Sequence, residues 1–286
     1  MMRTPAKGEE SVKKLFISPA LLVISFLIPM SANAASVGNP ATQGGLGETS
    51  VGIEYDYSNI DMRLKSGQVV EGGIVNPLNG ISNMEHKTRS GFLVASVGLA
   101  KNIDAFAGIG VSKSKLGFDW TNGGGAEHDE INNNSNLAWK AGVRAHITEV
   151  GGIRLGGMVQ YMTYSMDGRF TSDGTDLAEL FGANASYATN TDFSEWQAAL
   201  TASTNMGRLS PYMGVTYVKV TAENDTTVHI GGEMPMSASF HAKAKNENNV
   251  GIVVGAGYAL TTNISANIEG RFVNEKSGTA SISYTF

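Results

Sequence analysis

Ten runs of the sequence alternate apolar and polar residues with period two, and the connections joining them are long and short by turns. Together these predict an all-β chain: an antiparallel up-and-down transmembrane β-barrel of about ten strands, with eight to twelve possible. A third observation agrees. Trp139, Trp196, Tyr57, Tyr217 and Phe272 fall near one set of run ends, and Tyr258, Tyr284 and Phe286 near the other. Two aromatic girdles at two interfaces have that arrangement.

Composition narrows the classes. The chain has 286 residues, 16% of them charged, a net charge of −5 and no cysteine. Disulfide scaffolds and thiolate metal sites are therefore excluded. An acidic balance speaks against nucleic acid as a partner. No apolar stretch reaches the roughly 18 residues of a helical span.

Residues 1–34 have the organisation of a secretory signal peptide. A polar, basic leader (Arg3, Lys7, Lys13, Lys14) precedes the apolar run Leu15–Met30, and Ala32-Asn33-Ala34 offers a small-x-small cleavage site. Residues 35–48 then form a periplasmic N-terminal segment, and 49–286 the barrel.

The first strand carries Val51, Ile53, Tyr55 and Tyr57 on one face, and the second Leu93, Ala95, Val97 and Leu99. The third has Ala105, Ala107, Ile109 and Val111; the fourth, cleanest of all, has Leu137, Trp139, Ala141, Val143, Ala145 and Ile147. Ile153–Tyr161 and Trp196–Ala202 follow the same rule, whereas Leu209–Thr221 has apolar residues on both faces. Val250–Leu260, Ile264–Phe272 and Ala280–Phe286 complete the set. The long connections span 65–86, 119–134, 167–191 and 222–247. Putting them all at one end suits a membrane barrel with short periplasmic turns and long outer loops. Within them, Thr175–Ala183 is expected to form a short helix, and Asp225–Ala244 a hairpin that extends two strands beyond the membrane.

The closing residues Ala280, Ile282, Tyr284 and Phe286, alternating with Ser281, Ser283 and Thr285, resemble the C-terminal strand of Gram-negative outer-membrane β-barrel proteins. The resemblance implies the bacterial outer membrane as location and recognition by the barrel-assembly machinery during biogenesis. The stretch Val37-Gly38-Asn39-Pro40-Ala41 is similar to the start of chlamydial-type major outer-membrane porins. Those porins are cysteine-rich and this chain has no cysteine, so their function is not carried over.

Glu54, Asp56, Lys140, Arg144, Arg154, Glu195, Glu269 and Arg271 share the lumen-facing parity. Charges inside a membrane barrel must be paired or face water. Two readings stay open: an interior ion-pair network that shuts the lumen, or a narrow polar channel selecting small solutes. Acidic residues outnumber basic ones in the outer connections, which would give such a pore an acidic vestibule.

Arg63, Lys87, Arg89, Lys113 and Lys115 share the outward parity at the outer ends of the first three strands. Arg and Lys pair well with phosphate oxygens, so these five are candidate contacts for lipopolysaccharide in the surrounding outer-membrane lipid. No cofactor or metal site is expected. Nor is an enzyme: ten strands also describes the omptin proteases, but His86, His128, His229 and His241 lie in outer connections with no paired-carboxylate strand motif nearby, and His146 lies near the periplasmic end. The expected role is structural or surface-interaction, with at most narrow passive diffusion. The alternatives are a small-solute porin and, further off, an omptin-like or lipid-modifying barrel enzyme.

Overall fold

The computed structural model describes residues 37–39, 45–122, 125–176, 179, 185–231 and 236–286. The expected signal peptide lies outside them, as do most of the residues of the expected Thr175–Ala183 helix. Fourteen strands occur among the described residues: β1 (Thr49–Glu71), β2 (Ile74–Pro77), β3 (Ile81–Ala100), β4 (Ile103–Asn122), β5 (Gly125–Asn133), β6 (Asn136–Val150) and β7 (Ile153–Ser172). The rest are β8 (Thr175–Asp176), β9 (Ala185–Thr204), β10 (Leu209–Ile230), β11 (Met236–Asn246), β12 (Val250–Ala259), β13 (Ile264–Phe272) and β14 (Lys276–Thr285).

Ten of these close a ring in the order β1, β3, β4, β6, β7, β9, β10, β12, β13, β14. Every neighbouring pair is antiparallel, and β14 returns to β1 from Ser50↔Thr285 to Asn59↔Lys276. Closure leaves no strand edge, so every backbone group in the wall finds a partner without water. Short turns gather at the end where the chain also terminates. One is Gly151-Gly152 between β6 and β7, where both residues have positive φ, +60° and +81°. A two-residue hairpin matching the strand twist needs that conformation, which suits glycine.

The connections at the other end are themselves largely sheet. β5 continues the place of β6, pairing with β4 and β7. β11 pairs with β10 on one side and with β1 on the other, from Met62↔Asn246 outward. Above the ten-stranded ring there is thus an eight-stranded tier of β1, β3, β4, β5, β7, β9, β10 and β11, which passes over the shorter β12, β13 and β14. β2 folds back onto β1 and β8 onto β7. The hairpin expected at Asp225–Ala244 is present as β10–β11, while 65–86, 119–134 and the start of 167–191 are strand where loop was expected. Thr175 and Asp176, expected to begin a helix, form β8.

The physical reason is a change of medium. Along β1 the apolar residues sit at odd positions to Tyr57, then at even positions in Ile60, Met62 and Leu64. β4 switches between Val111 and Leu116, and β7 between Tyr161 and Met162; β10 switches between Tyr217 and Val218. In the ring the outward face is apolar and exposed, as at Leu137 (65%) and Val250 (62%). In the upper tier the apolar residues lie on the inward face and are buried, interleaved there with polar residues such as Thr189, Thr191, Asn224 and Thr226. Period two persists throughout, but the side that must avoid water reverses.

Candidate functional site

The lumen holds most of the molecule's buried charge, and its contents are stacked in three layers. At the short-turn end, Phe106, Met158, Ala199, Tyr212 and Val253 form a small apolar cluster with Val37 at its centre. Val37 belongs to the 35–48 segment expected on the periplasmic side, and Val37 and Gly38 reach into the barrel at its short-turn end. The reason is a buried acceptor. The Val37 N–H donates to Glu269 Oε1 and the Gly38 N–H to Glu269 Oε2, both at 3.0 Å. Tyr212 O–H donates to Oε2 at 2.8 Å.

The middle layer is polar. Lys140 forms an ion pair with Glu54 and lies 4.7 Å from the Phe92 ring centre. Arg271, with 0% of its side chain exposed, bonds Glu269 at 2.7 Å, Glu275 at 3.0 Å and the Ser277 hydroxyl at 2.7 Å. Asp56 accepts from Thr279 Oγ1 at 2.6 Å. Gln160 and Gln197, cross-strand neighbours on β7 and β9, hydrogen-bond to each other on the inner wall. Glu195 is buried in the same region. Arg144 lies toward the turn end, 3.7 Å from Asp104 and over the Phe106 ring.

The third layer is an apolar plug inside the upper half, including Ile60, Met62, Leu116, Ile131, Met162, Met166, Phe193, Val218 and Val220. His86 stacks on Phe193 with ring centres 4.1 Å apart, and Thr88 bridges His86 and Tyr164 at 3.0 and 3.2 Å. The cavity left beside them measures about 10 Å³, room for one water at most.

Seven of the eight expected lumen charges therefore lie in the interior. Arg154 instead reaches the rim of the turn end, where it pairs with Glu149 at 3.1 Å. Parity was right there, but the residue is the second of its strand. Sequence reasoning missed Glu275, placed in a connection, and Val37–Gly38, which have no periodicity to betray them. Asp104 and Gln160 carry the lumen parity and were legible by it.

Outside, Trp139, Tyr161 and Trp196 form a continuous aromatic row across β6, β7 and β9, with ring centres 5.5 and 4.9 Å apart. Tyr217 and Phe272 continue that edge, while Tyr258, Tyr284 and Phe286 mark the opposite one. Between the two edges the surface is apolar, with an apolar groove of about 560 Å³ crossing the lipid face from Ile103 to Val250. Charge inside, hydrocarbon outside and aromatic edges are the pattern of a barrel in lipid. The structure is that of a membrane-spanning β-barrel.

No protein-family profile and no curated protein matches its sequence. Among solved structures the barrel is similar to the outer-membrane protease OmpT of Escherichia coli at 15% identity and TM-score 0.44, covering 82% of this chain and 97% of that one. It is also similar to OprG of Pseudomonas aeruginosa (9% identity, TM-score 0.45, 85% and 98% covered). A third is the translocator domain of the autotransporter NalP from Neisseria meningitidis (13%, 0.41, 86% and 91%).

At the outer rim of this barrel, Arg89 and Lys113 are direct cross-strand partners, as are Lys87 and Lys115. Arg89 lies 5.4 Å from the Tyr57 ring centre. Lys87 pairs with Glu85 at 2.5 Å and Lys115 with Glu130, which leaves Arg89 and Lys113 as the cationic centre of the patch. Arg63 stands apart, further out on β1 and opposite Lys245 of β11. On the outer wall of the upper tier, His128 bonds Asp119 at 2.8 Å, and Asn83 donates to the same carboxylate at 2.7 Å. That hydrogen bond raises the His128 pKa above its usual value, helped by Glu130. The C-terminal residues Ala280, Ile282, Tyr284 and Phe286 present their side chains along the outward face of β14, and the Phe286 N–H is tied to the Thr49 carbonyl at 2.9 Å.

Proposed function

We propose that this is a non-conducting barrel with a structural and surface-interaction role. The observation that carries the reading is the stacked filling of the lumen: a turn-end cluster, a cross-linked polar belt and an apolar plug lie in series. A solute path would have to displace all three, and the belt's charges are bonded to one another rather than presented to water. Planar-bilayer recording of the refolded chain tests it. Silence from protein whose folding is verified by heat-modifiable gel mobility is the expected result. Reproducible steps would overturn the reading in favour of a small-solute porin, and cation preference would assign the selectivity to the acidic outer connections.

The interaction surface in this reading is the basic rim, which we take to meet lipopolysaccharide phosphates at headgroup height. Arg89 and Lys113 support it because they are adjacent, outward and just beyond the aromatic edge. Reversing both charges, Arg89→Glu with Lys113→Glu, should lower the lipopolysaccharide that co-purifies; equal amounts from both proteins would remove the rim from the reading. No catalytic role is proposed. The His128–Asp119 pair faces away from the lumen on the outer wall.

A further inference from the structure

We propose that the turn-end mouth of the lumen is a peptide-binding site whose resident ligand is the chain's own N-terminal segment. The site has the two parts that peptide recognition needs. One is an apolar socket, made by Phe106, Met158, Ala199, Tyr212 and Val253, which takes the Val37 side chain and leaves it 2% exposed. The other is a carboxylate that reads backbone: Glu269 accepts from two successive N–H groups, one on each oxygen. Gly38 has φ +62°, a left-handed conformation in which consecutive amides can converge on one anion. The receptor side is built independently of the ligand, because Tyr212 and Arg271 hold the Glu269 carboxylate at 2.8 and 2.7 Å from the barrel wall. Asn267 in turn donates to the Tyr212 hydroxyl at 3.1 Å.

The segment differs from the rest of the described chain in how it is held. Residues 37–39 join no strand ladder, and the socket and the carboxylate are among the contacts that hold them. A short tether to β1 gives intramolecular docking a high effective concentration, typically in the mM range. The ligand class that fits is a peptide with a branched apolar residue followed by a glycine in the left-handed conformation.

The absence of native cysteine makes the test clean. In the full-length barrel in micelles, the thiol of a Val37→Cys variant should react with maleimide at least about tenfold more slowly than that of Leu46→Cys, since Leu46 is 74% exposed. Adding Glu269→Gln should release the protection. Separately, a fluorescent peptide of residues 35–44 should bind a Val37→Asp barrel, whose own segment is displaced, and not the wild type. The same peptide carrying Asp in place of Val should bind neither. Equal thiol reactivity at positions 37 and 46 would overturn the proposal, as would peptide binding that ignores either the barrel variant or the peptide's valine. If Val37→Asp does not refold, the thiol comparison decides alone.

Discussion

Arg271 is enclosed by Glu269, Glu275 and Ser277 beneath the turn between β13 and β14. A buried ion pair is weak evidence of net stabilisation, but breaking one leaves an uncompensated charge and costs about 3–5 kcal/mol. Arg271→Ala should therefore lower the unfolding free energy of the refolded barrel by an amount in that range, read as a fall in the urea midpoint, and a shift too small to measure would mean that water reaches the belt. His128 provides a contrasting case at the surface. Its folded pKa lies above its unfolded value because Asp119 accepts its proton-bearing nitrogen. The pair's contribution is then complete below the unfolded pKa of about 6.5 and disappears as pH rises through the higher folded value. Amide protection factors along the β4–β5 ladder should fall over that upward interval, and Asp119→Asn should flatten the dependence. An exchange profile unchanged by that substitution would detach the titration from Asp119.

At the scale of the strand, the reversal of apolar parity decides what a substitution does. Met62 sits on the inner face of β1 above the switch and is buried; Met62→Ala should cost about 2–5 kcal/mol by opening a cavity. Val111 sits on the outer face of β4 below the switch and is exposed to lipid. Val111→Arg should cost about 2–4 kcal/mol if it lies near the bilayer midplane and less toward the interface. Unfolding titrations of both variants in phospholipid vesicles check the pair. The same reversal explains which parts of the fold were legible. Strands inside the membrane stand out because one parity is apolar and the other polar or glycine. Beyond the aromatic edge the pattern continues with opposite sense, so a reading that expects one sense sees loop. The mixed faces of Leu209–Thr221 were the one visible trace of the switch at Tyr217 and Val218. Within the lumen, parity found Glu54, Lys140, Glu269 and Arg271, but pairing partners depend on cross-barrel register. Glu275 and Val37 reach the interior from a turn and a terminal segment, where no periodicity applies.

For the whole molecule, the C-terminal residue separates two kinds of requirement. Phe286 contributes one backbone bond to Thr49 and a ring packed edge-on to Tyr284 at 5.0 Å, modest holdings for a barrel of this size. Deleting Phe286 should leave refolding from urea into micelles intact while reducing assembly in cells, if the terminal strand is the feature that the assembly machinery reads. Equal yields in cells would remove that role. The two-tier construction has a kinetic counterpart. β1 is the seam of both rings: it meets β14 in the lower and β11 in the upper, with β3 against its other edge. The lower ring cannot close before the first strand meets the last, and those pairings, from Ser50↔Thr285 to Asn59↔Lys276, have the largest sequence separation of any strand pairing in the fold; the upper ring closes where β1 meets β11, earlier in the chain. Contacts of that kind form late because loop-closure entropy opposes them. The membrane wall is thus the part completed last, so an intermediate arrested before β14 docks on β1 would be open in the lower ring, whereas the outer tier has all its strands from earlier in the chain.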